Sequence, residues 1–390
     1  MPNFSLAARD AVRQLNISRI REVANAGMQR NDVMAFWFGE PDQVTPDFIR
    51  RAAVDALDAG ETFYTENLGI PQLREAIARY VSELHREVSS QNIAVTNSGM
   101  SALMIVTQAL VSPGDRVVIV TPVWPNLVEM PRILGAQPVT FPLTFTAAGW
   151  QLDLSGLLDV LSPDTRAVYI NSPNNPTGWT IDAESQQTIL EHCRRHGIWL
   201  IADDAYERLF FGNDEGLAPS FLDIADPQDR LVSVNTFSKA WQMTGWRLGW
   251  MVVPEELACA VATLIEYNTS CAPGFVQRAG ATAMQAGEAA VKDFNVRMKR
   301  ARDFLVQHLT VLPGVEASQP DGAMYAFFRL AKASDSLAFC KQLVDSVGLG
   351  LAPGVAFGAE GEGFVRWCFA ASEARLAAGI ERLKEALNYE

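Results

Sequence analysis

Six short runs of β-branched and other apolar residues punctuate the middle of the chain: NIAVT (92–96), DRVVIV (115–120), RAVYI (166–170), GIWLIA (197–202), RLVSV (230–234) and RLGWMVV (247–253). Stretches of helical period separate them. A strand with one wet face alternates apolar with polar residues, whereas a strand that is apolar throughout is buried on both faces. Such runs, spaced by helices, predict an α/β fold with a mainly parallel central sheet flanked by helices. DAESQQTILEHCRRHG (182–197) reads as one of these helices, with Asp182 capping its start and Gly197 at the position after its last turn. Past about Ala290 the pattern changes. A long helical stretch over 289–312 precedes GAMYAFFRL (322–330) and GFVRWCFA (363–370), which predicts a smaller α+β domain. The expected division is a large domain over 43–290 and a small domain made of 1–42 plus 291–390.

Composition narrows the partners. With 48% hydrophobic and 20% charged residues the chain is an ordinary globular protein, and its net charge of −13 argues against nucleic acid and anionic membrane. A few arginines can still build a local site for a small anion within an acidic body. The five cysteines show no CxxC or other ligand spacing, which predicts reduced thiols and no metal site. The first residues lack an apolar signal core and no run reaches membrane-spanning length, so the expected location is the cytoplasm.

Polar and conformationally special residues gather just after the apolar runs: TNSGM, TPVWPN, NSPNNPTG, DDAY and NTFSK. In open α/β sheets the ligand crevice lies at the carboxyl ends of the strands. Ser98 and Gly99 precede a helix opening at about Met100, which reads either as an ordinary cap or as an anion site built from free backbone N–H groups. In NSPNNPTG, Pro173 and Pro176 stiffen the loop and Gly178 relaxes it. Asn175, extended before a proline, can aim its amide at a ligand oxygen, although a plain β-turn accounts for the same residues. Asp203 ends a buried strand and needs a positive or donor partner, while Asp204 reads as a cap for a following helix. Lys239 and Arg247 stand in NTFSKAWQMTGWRLGW, a stretch otherwise without charge. They are a snorkelling lysine with a surface arginine, or a reactive amine beside a phosphate clamp.

Taken together, WFGEPD (37–42), NNPTG, DDAY, SK followed by GWRLG, and VRWCFA (365–370) resemble the fold-type-I pyridoxal-phosphate enzymes, specifically the class I/II aminotransferases of the aspartate aminotransferase family. The resemblance runs over nearly the whole chain. It implies that Lys239 joins the aldehyde of pyridoxal 5'-phosphate and that Asp203 keeps the ring nitrogen protonated. Asn175 and Tyr206 would bond the ring's phenolic oxygen and Trp124 would stack on the ring. Ser98, the Gly99 and Met100 amides, Thr236, Ser238 and Arg247 would surround the phosphate. Arg366, helped by the Gly39 backbone, would grip the substrate α-carboxylate. Tyr64 matches the tyrosine that reaches a partner subunit's cofactor phosphate, which implies a homodimer. Thr236 replaces the usual Gly or Ser, and Gln242 stands where a small or apolar residue is usual.

The activity so implied is transfer of an amino group from an L-amino acid to a 2-oxo acid by a ping-pong route. Relatives that prefer dicarboxylates carry a cation at the positions of Met100 or, across the dimer, Glu266. The residues here point instead to a neutral or aromatic donor, with Trp37, Phe38, Met100 and Trp124 expected to line its side-chain pocket. A lyase or decarboxylase of the same fold, and a non-catalytic ligand-sensing module, remain open at this stage.

Overall fold

A computed structural model of the 390-residue chain describes residues 8–388. The expected small domain begins at residue 1, so its first seven residues lie outside the described ones. Seven strands form the central sheet: β1 (Ile93–Thr96), β2 (Arg116–Thr121), β3 (Gln137–Pro142), β4 (Thr165–Asn171), β5 (Trp199–Asp203), β6 (Leu231–Thr236) and β7 (Gly249–Val252). Their order is β1-β7-β6-β5-β4-β2-β3. All neighbours are parallel except β7, which runs antiparallel to both β1 and β6.

Each of the six apolar runs holds one of these strands, and its residues alternate between two hydrophobic cores. On β2, Val118 and Val120 enter one core while Val117 and Ile119 enter the other; Val168 and Ile170 against Ala167 and Tyr169 do the same on β4. One core is closed by the helices Gly99–Leu110 and Glu255–Asn268. The other is closed by Pro71–Leu84, Ala183–His196 and Gly274–Ala286, and continues into the smaller sheet. Asp182 caps Ala183–His196 by accepting from the Ser185 N–H, and Gly197 ends it at φ 67°. β3 is the strand that apolar patterning missed. It is an edge strand, half-exposed, and carries Pro138 and Pro142 where no further ladder is built.

The smaller sheet is antiparallel, in the order β8 (Val315–Glu316), β9 (Tyr325–Leu330), β11 (Phe364–Cys368), β10 (Ala352–Pro353). It follows the 22-residue helix Glu288–Leu309. The N-terminal segment joins this region: Met34–Ala35 pairs in parallel with Leu349–Gly350, and the helix Arg19–Gly27 packs on Ser336–Val347. Among the described residues no helix is long and apolar enough to cross a membrane.

Register brings the functional loops together. Gly249, the first residue of β7, lies between Thr96 and Thr236, the last residues of β1 and β6. The helix Gly99–Leu110 starts directly above this point: a Cβ on Gly249 would lie 2.3 Å from the Gly99 nitrogen and 2.5 Å from the Ser98 carbonyl carbon. Only glycine permits that approach. Gly249→Ala should therefore destabilise the protein by about 1–3 kcal/mol, read from denaturant unfolding, and a variant as stable as the parent would show that the helix start is free to shift.

Candidate active site

The carboxyl ends of β4, β5 and β6, the start of the helix Gly99–Leu110, and residues brought by the N-terminal segment and the smaller sheet enclose a cavity of about 460 Å³. Gly39, Gly99, Met100, Trp124, Asn175, Asp203, Tyr206, Thr236, Ser238, Lys239, Arg247 and Arg366 all line it. The structure thus brings together twelve of the fourteen residues singled out from sequence. Ser98 sits beneath the wall, where its Oγ accepts from the Ser101 N–H as helix cap. Tyr64 is not brought to the cavity; its side chain stands 90% exposed on the surface.

Ser98 also takes the Ala102 N–H on its carbonyl. Of the helix's first four N–H groups, those of Gly99 and Met100, both cavity-lining residues, have no acceptor among the described residues and lie at the positive end of the helix dipole. To reach this geometry Ser98 adopts φ 125°, a value usually reserved for glycine, and the cap bond and packing hold it there. Thr236 Oγ1 donates to Ser238 Oγ at 3.0 Å and accepts from the Ser238 N–H at 3.1 Å. Arg247 Nη1 reaches Ser238 Oγ at 3.4 Å and the Thr244 carbonyl at 2.8 Å, with no carboxylate partner among the described residues. Two free amides, two hydroxyls and a guanidinium make an anion cradle.

Asp203, at the buried end of β5, accepts from the Ala205 N–H at 3.3 Å and has no cation in an ion pair with it among the described residues. Burial raises its carboxyl to about 6. Lys239 Nζ donates to the Gly39 carbonyl at 2.6 Å and lies 5.5 Å from the centre of the Tyr206 ring. Burial lowers the amine to about 8, and the Arg366 and Arg247 guanidiniums push the same way. The snorkelling alternative is therefore corrected: the amine turns inward.

Arg366, on β11, is buried. Its Nη1 donates to Asn175 Oδ1 at 2.7 Å and its Nη2 to the Trp37 carbonyl, while Nε has no partner. The guanidinium is held between the rings of Tyr325 (4.3 Å) and Phe357 (4.7 Å), with no carboxylate paired to it among the described residues. An arginine only donates, so Asn175 turns its oxygen to Arg366 and keeps its NH2 for an acceptor. Tyr206 shares a 2.6 Å hydroxyl contact with Tyr325. Tyr325 Oη occupies the space where Gly39 would carry a Cβ, only 1.8 Å from the ideal position, so glycine is required there.

Two expectations need correction, and one departure from the family pattern finds a place. Trp37 does not line the cavity; it is buried with its ring against Gly27 and Gly350, and contributes its carbonyl to Arg366. Asp204 caps no helix, because a turn follows it; its carboxylate accepts from Ser233 Oγ at 2.6 Å. Gln242 acts through its backbone: at φ 57° it closes the turn after Lys239 by donating N–H to the Lys239 carbonyl, and its own carbonyl accepts from Thr45 Oγ1. Nothing in the structure explains its side chain. Sequence reading missed Tyr325, Asn171 and Asn235, and the N-terminal residues Ser18, Ile20 and Arg21, all of which line the cavity. Asn171 and Asn235 were visible in principle, as polar residues at the ends of apolar strands. Tyr325 lies in an apolar run like any core aromatic.

These groups leave three demands open: an anion for the cradle, a cationic donor for Asp203 and a carboxylate for Arg366. Pyridoxal phosphate fits the first two, through its phosphate and its protonated ring nitrogen, and offers its aldehyde to Lys239. Residues 31–383 match the family described as aminotransferase class I and II. A probable aspartate/prephenate aminotransferase of Aquifex aeolicus is 37% identical over 366 residues, 91% of each chain. The solved aspartate aminotransferase of Thermotoga maritima superposes with a TM-score of 0.90 at 32% identity, covering 98% of this chain and 100% of its own. The aromatic aminotransferase of Pyrococcus horikoshii superposes at 0.85 with 29% identity, covering 94% and 98%.

The neutral amine is the form that attacks an aldehyde. Uptake of pyridoxal phosphate by the cofactor-free protein should accelerate with pH through a midpoint at about 8 and then level off, when followed by the absorbance of the bound cofactor. A midpoint near the ordinary lysine value of 10.5 would contradict the inward, desolvated placement of Lys239.

Proposed function

The chain belongs to the class I and II aminotransferases, pyridoxal-phosphate-dependent enzymes, and from that premise we propose that it moves the α-amino group of an L-amino acid to a 2-oxo acid in two alternating half-reactions at this one site. The observation that carries the reading is the convergence in one cavity of the inward amine of Lys239, the carboxylate of Asp203 and the guanidinium of Arg366, the last two without an ion-pair partner among the described residues. Bound pyridoxal phosphate supplies an aldehyde that joins amines and a protonated ring that takes up the electron pair left at the substrate α-carbon.

The protein's own groups do the rest. Asp203 holds the proton on the ring nitrogen, and its burial strengthens that ion pair. Asn175, through its free NH2, and Tyr206 would hold the ring's phenolic oxygen, and Trp124 would pack on the ring. Gly99 and Met100 N–H, Thr236, Ser238 and Arg247 hold the phosphate. Arg366, pre-oriented by two aromatic faces and the Asn175 oxygen, binds the α-carboxylate. Lys239 Nζ, released when the substrate amine takes its place, removes the α-proton; a nitrogen that ionises near 8 is neutral often enough for this at physiological pH. The exposed rings of Phe63, Tyr64 and Tyr267 support a homodimer in which Tyr64 reaches the second cradle. The five cysteines are free thiols, which supports a reducing, cytoplasmic setting.

Phe38, Trp124, Met100, Leu103 and Ile20 give the cavity an apolar wall, which supports a neutral or aromatic donor. A second reading, an acidic donor, is favoured by Arg21. This residue lines the same cavity with its guanidinium 4.7 Å from the centre of the Phe38 ring and no carboxylate partner among the described residues. The aspartate and aspartate/prephenate aminotransferases among the relatives agree with it.

Incubation with a panel of amino acids and either 2-oxoglutarate or pyruvate, with product analysis, tests the function. Lys239→Ala should abolish turnover and the visible band of the bound cofactor; retained turnover would refute the assignment. Arg21→Met separates the two donor readings. If an acidic donor is used, its kcat/KM should fall about tenfold or more while that of phenylalanine is unchanged; equal effects on both would leave the apolar wall as the determinant.

A further inference from the structure

A chain of buried polar groups that the reaction does not use runs from the protein surface to the cavity wall. His85 follows the helix Pro71–Leu84, and its side chain is 1% exposed. Its Nδ1 lies 2.7 Å from Asp223 Oδ1 and its Nε2 lies 3.3 Å from Glu207 Oε2. The other oxygen of Glu207 accepts from Asn235 Nδ2 at 2.6 Å. Asn235 Oδ1 in turn accepts from the Thr236 N–H at 2.7 Å. Asn235 and Thr236 both line the cavity, and Thr236 is the threonine of the anion cradle.

Each bond in this series has its direction set by the one before. A ring nitrogen facing an ionised carboxylate must carry a proton; His85 faces one carboxylate at each nitrogen and so holds both protons as an imidazolium. Glu207 pairs with that charge through Oε2 and accepts from Asn235 at Oε1. Asn235 is therefore obliged to turn its NH2 toward Glu207 and its oxygen toward Thr236. Without a cation here, Glu207 would share the buried layer with Asp204, bonded to Ser233, and with Asp203 beyond it. Three carboxylates so placed would repel one another with no counter-charge between them. His85 is the only ion-pair partner of Glu207 among the described residues.

We propose that His85 is a positioning residue for the cofactor: as a buried imidazolium it fixes, through Glu207 and Asn235, the backbone and hydroxyl of Thr236 in the anion cradle. The proposal rests on the reading of Thr236, Ser238 and Arg247 as the phosphate cradle. Its two hydrogen-bonded carboxylates outweigh desolvation and hold His85 at about 10, so the ring stays charged across the working range of the enzyme. No role in proton transfer is assigned to it, because it touches neither Lys239 nor Asp203.

The test uses the full-length protein, stripped of cofactor and titrated with pyridoxal phosphate. His85→Gln keeps a donor and similar bulk but no charge, and should raise the cofactor dissociation constant about tenfold, the scale of losing a charge-assisted hydrogen bond. A role in folding alone would lower the melting temperature of the cofactor-free protein and leave that constant unchanged, which overturns the proposal. A double-mutant cycle with Asn235→Ser gives the coupling: along one relay, the double variant binds cofactor no more weakly than Asn235→Ser alone, whereas multiplying effects overturn the relay. Should His85→Gln fail to fold, Glu207→Gln breaks the same ion pair from its other side, and unchanged affinity there is equally fatal. Arg247→Ala separates the two levels. If it leaves cofactor affinity intact, the cradle reading itself fails; if it weakens binding and His85→Gln does not, only the relay fails.

Discussion

Every feature of the site depends on charges held out of water without their usual partners. Among the described residues Asp203 is buried with no cation paired to it and Arg366 with no carboxylate, and Lys239 is turned inward beside two guanidiniums. Each arrangement is unfavourable by itself, since a buried ion that lacks a counter-ion is costly. The fold tolerates them because the surrounding scaffold is rigid, with both faces of a seven-stranded sheet filled by packed cores. In the proposed function, cofactor and substrate bring the missing charges, and the cost of the empty arrangement is returned as binding and orientation.

Two scaffolds share the work. The carboxyl ends of the large sheet provide Asp203, Asn175 and the cradle, while the smaller sheet and the N-terminal segment provide Arg366, Tyr325, Gly39 and Arg21. Contacts between the two tie cofactor-side and substrate-side groups together. Arg366 bonds Asn175, Tyr325 meets Tyr206, and the Gly39 carbonyl receives Lys239. Arg366, proposed to orient the substrate carboxylate, is thus bonded to Asn175, proposed to orient the cofactor ring. At the carboxyl end of β6 the proposed His85 relay links the same cradle through Glu207 and Asn235 to a buried charge.

Much of this was legible before any coordinates. The continuous apolar runs announced strands buried on both faces, because nothing else accommodates β-branched residues with no polar alternation. The loops after them announced the site. What escaped had a physical reason in each case. β3 is an edge strand whose mixed burial and prolines mimic a loop. Tyr325 is chemically a core aromatic until the Gly39 backbone comes close enough to free its hydroxyl for Tyr206. Trp37 read as pocket lining, yet two glycines open a slot in the core that takes its ring.

By itself, the sequence determined the layered fold, the end of the sheet at which chemistry occurs, and the residue types that meet there, since these follow from periodicity, backbone freedom and the impossibility of burying lone charges without purpose. Tertiary structure decided which way those groups face. That Lys239 turns inward to Gly39 and that Asn175 offers its NH2 and not its oxygen both depend on neighbours about 200 residues away in the chain. Orientation is a property of the donor and acceptor brought alongside by folding, and no local pattern of residues records it.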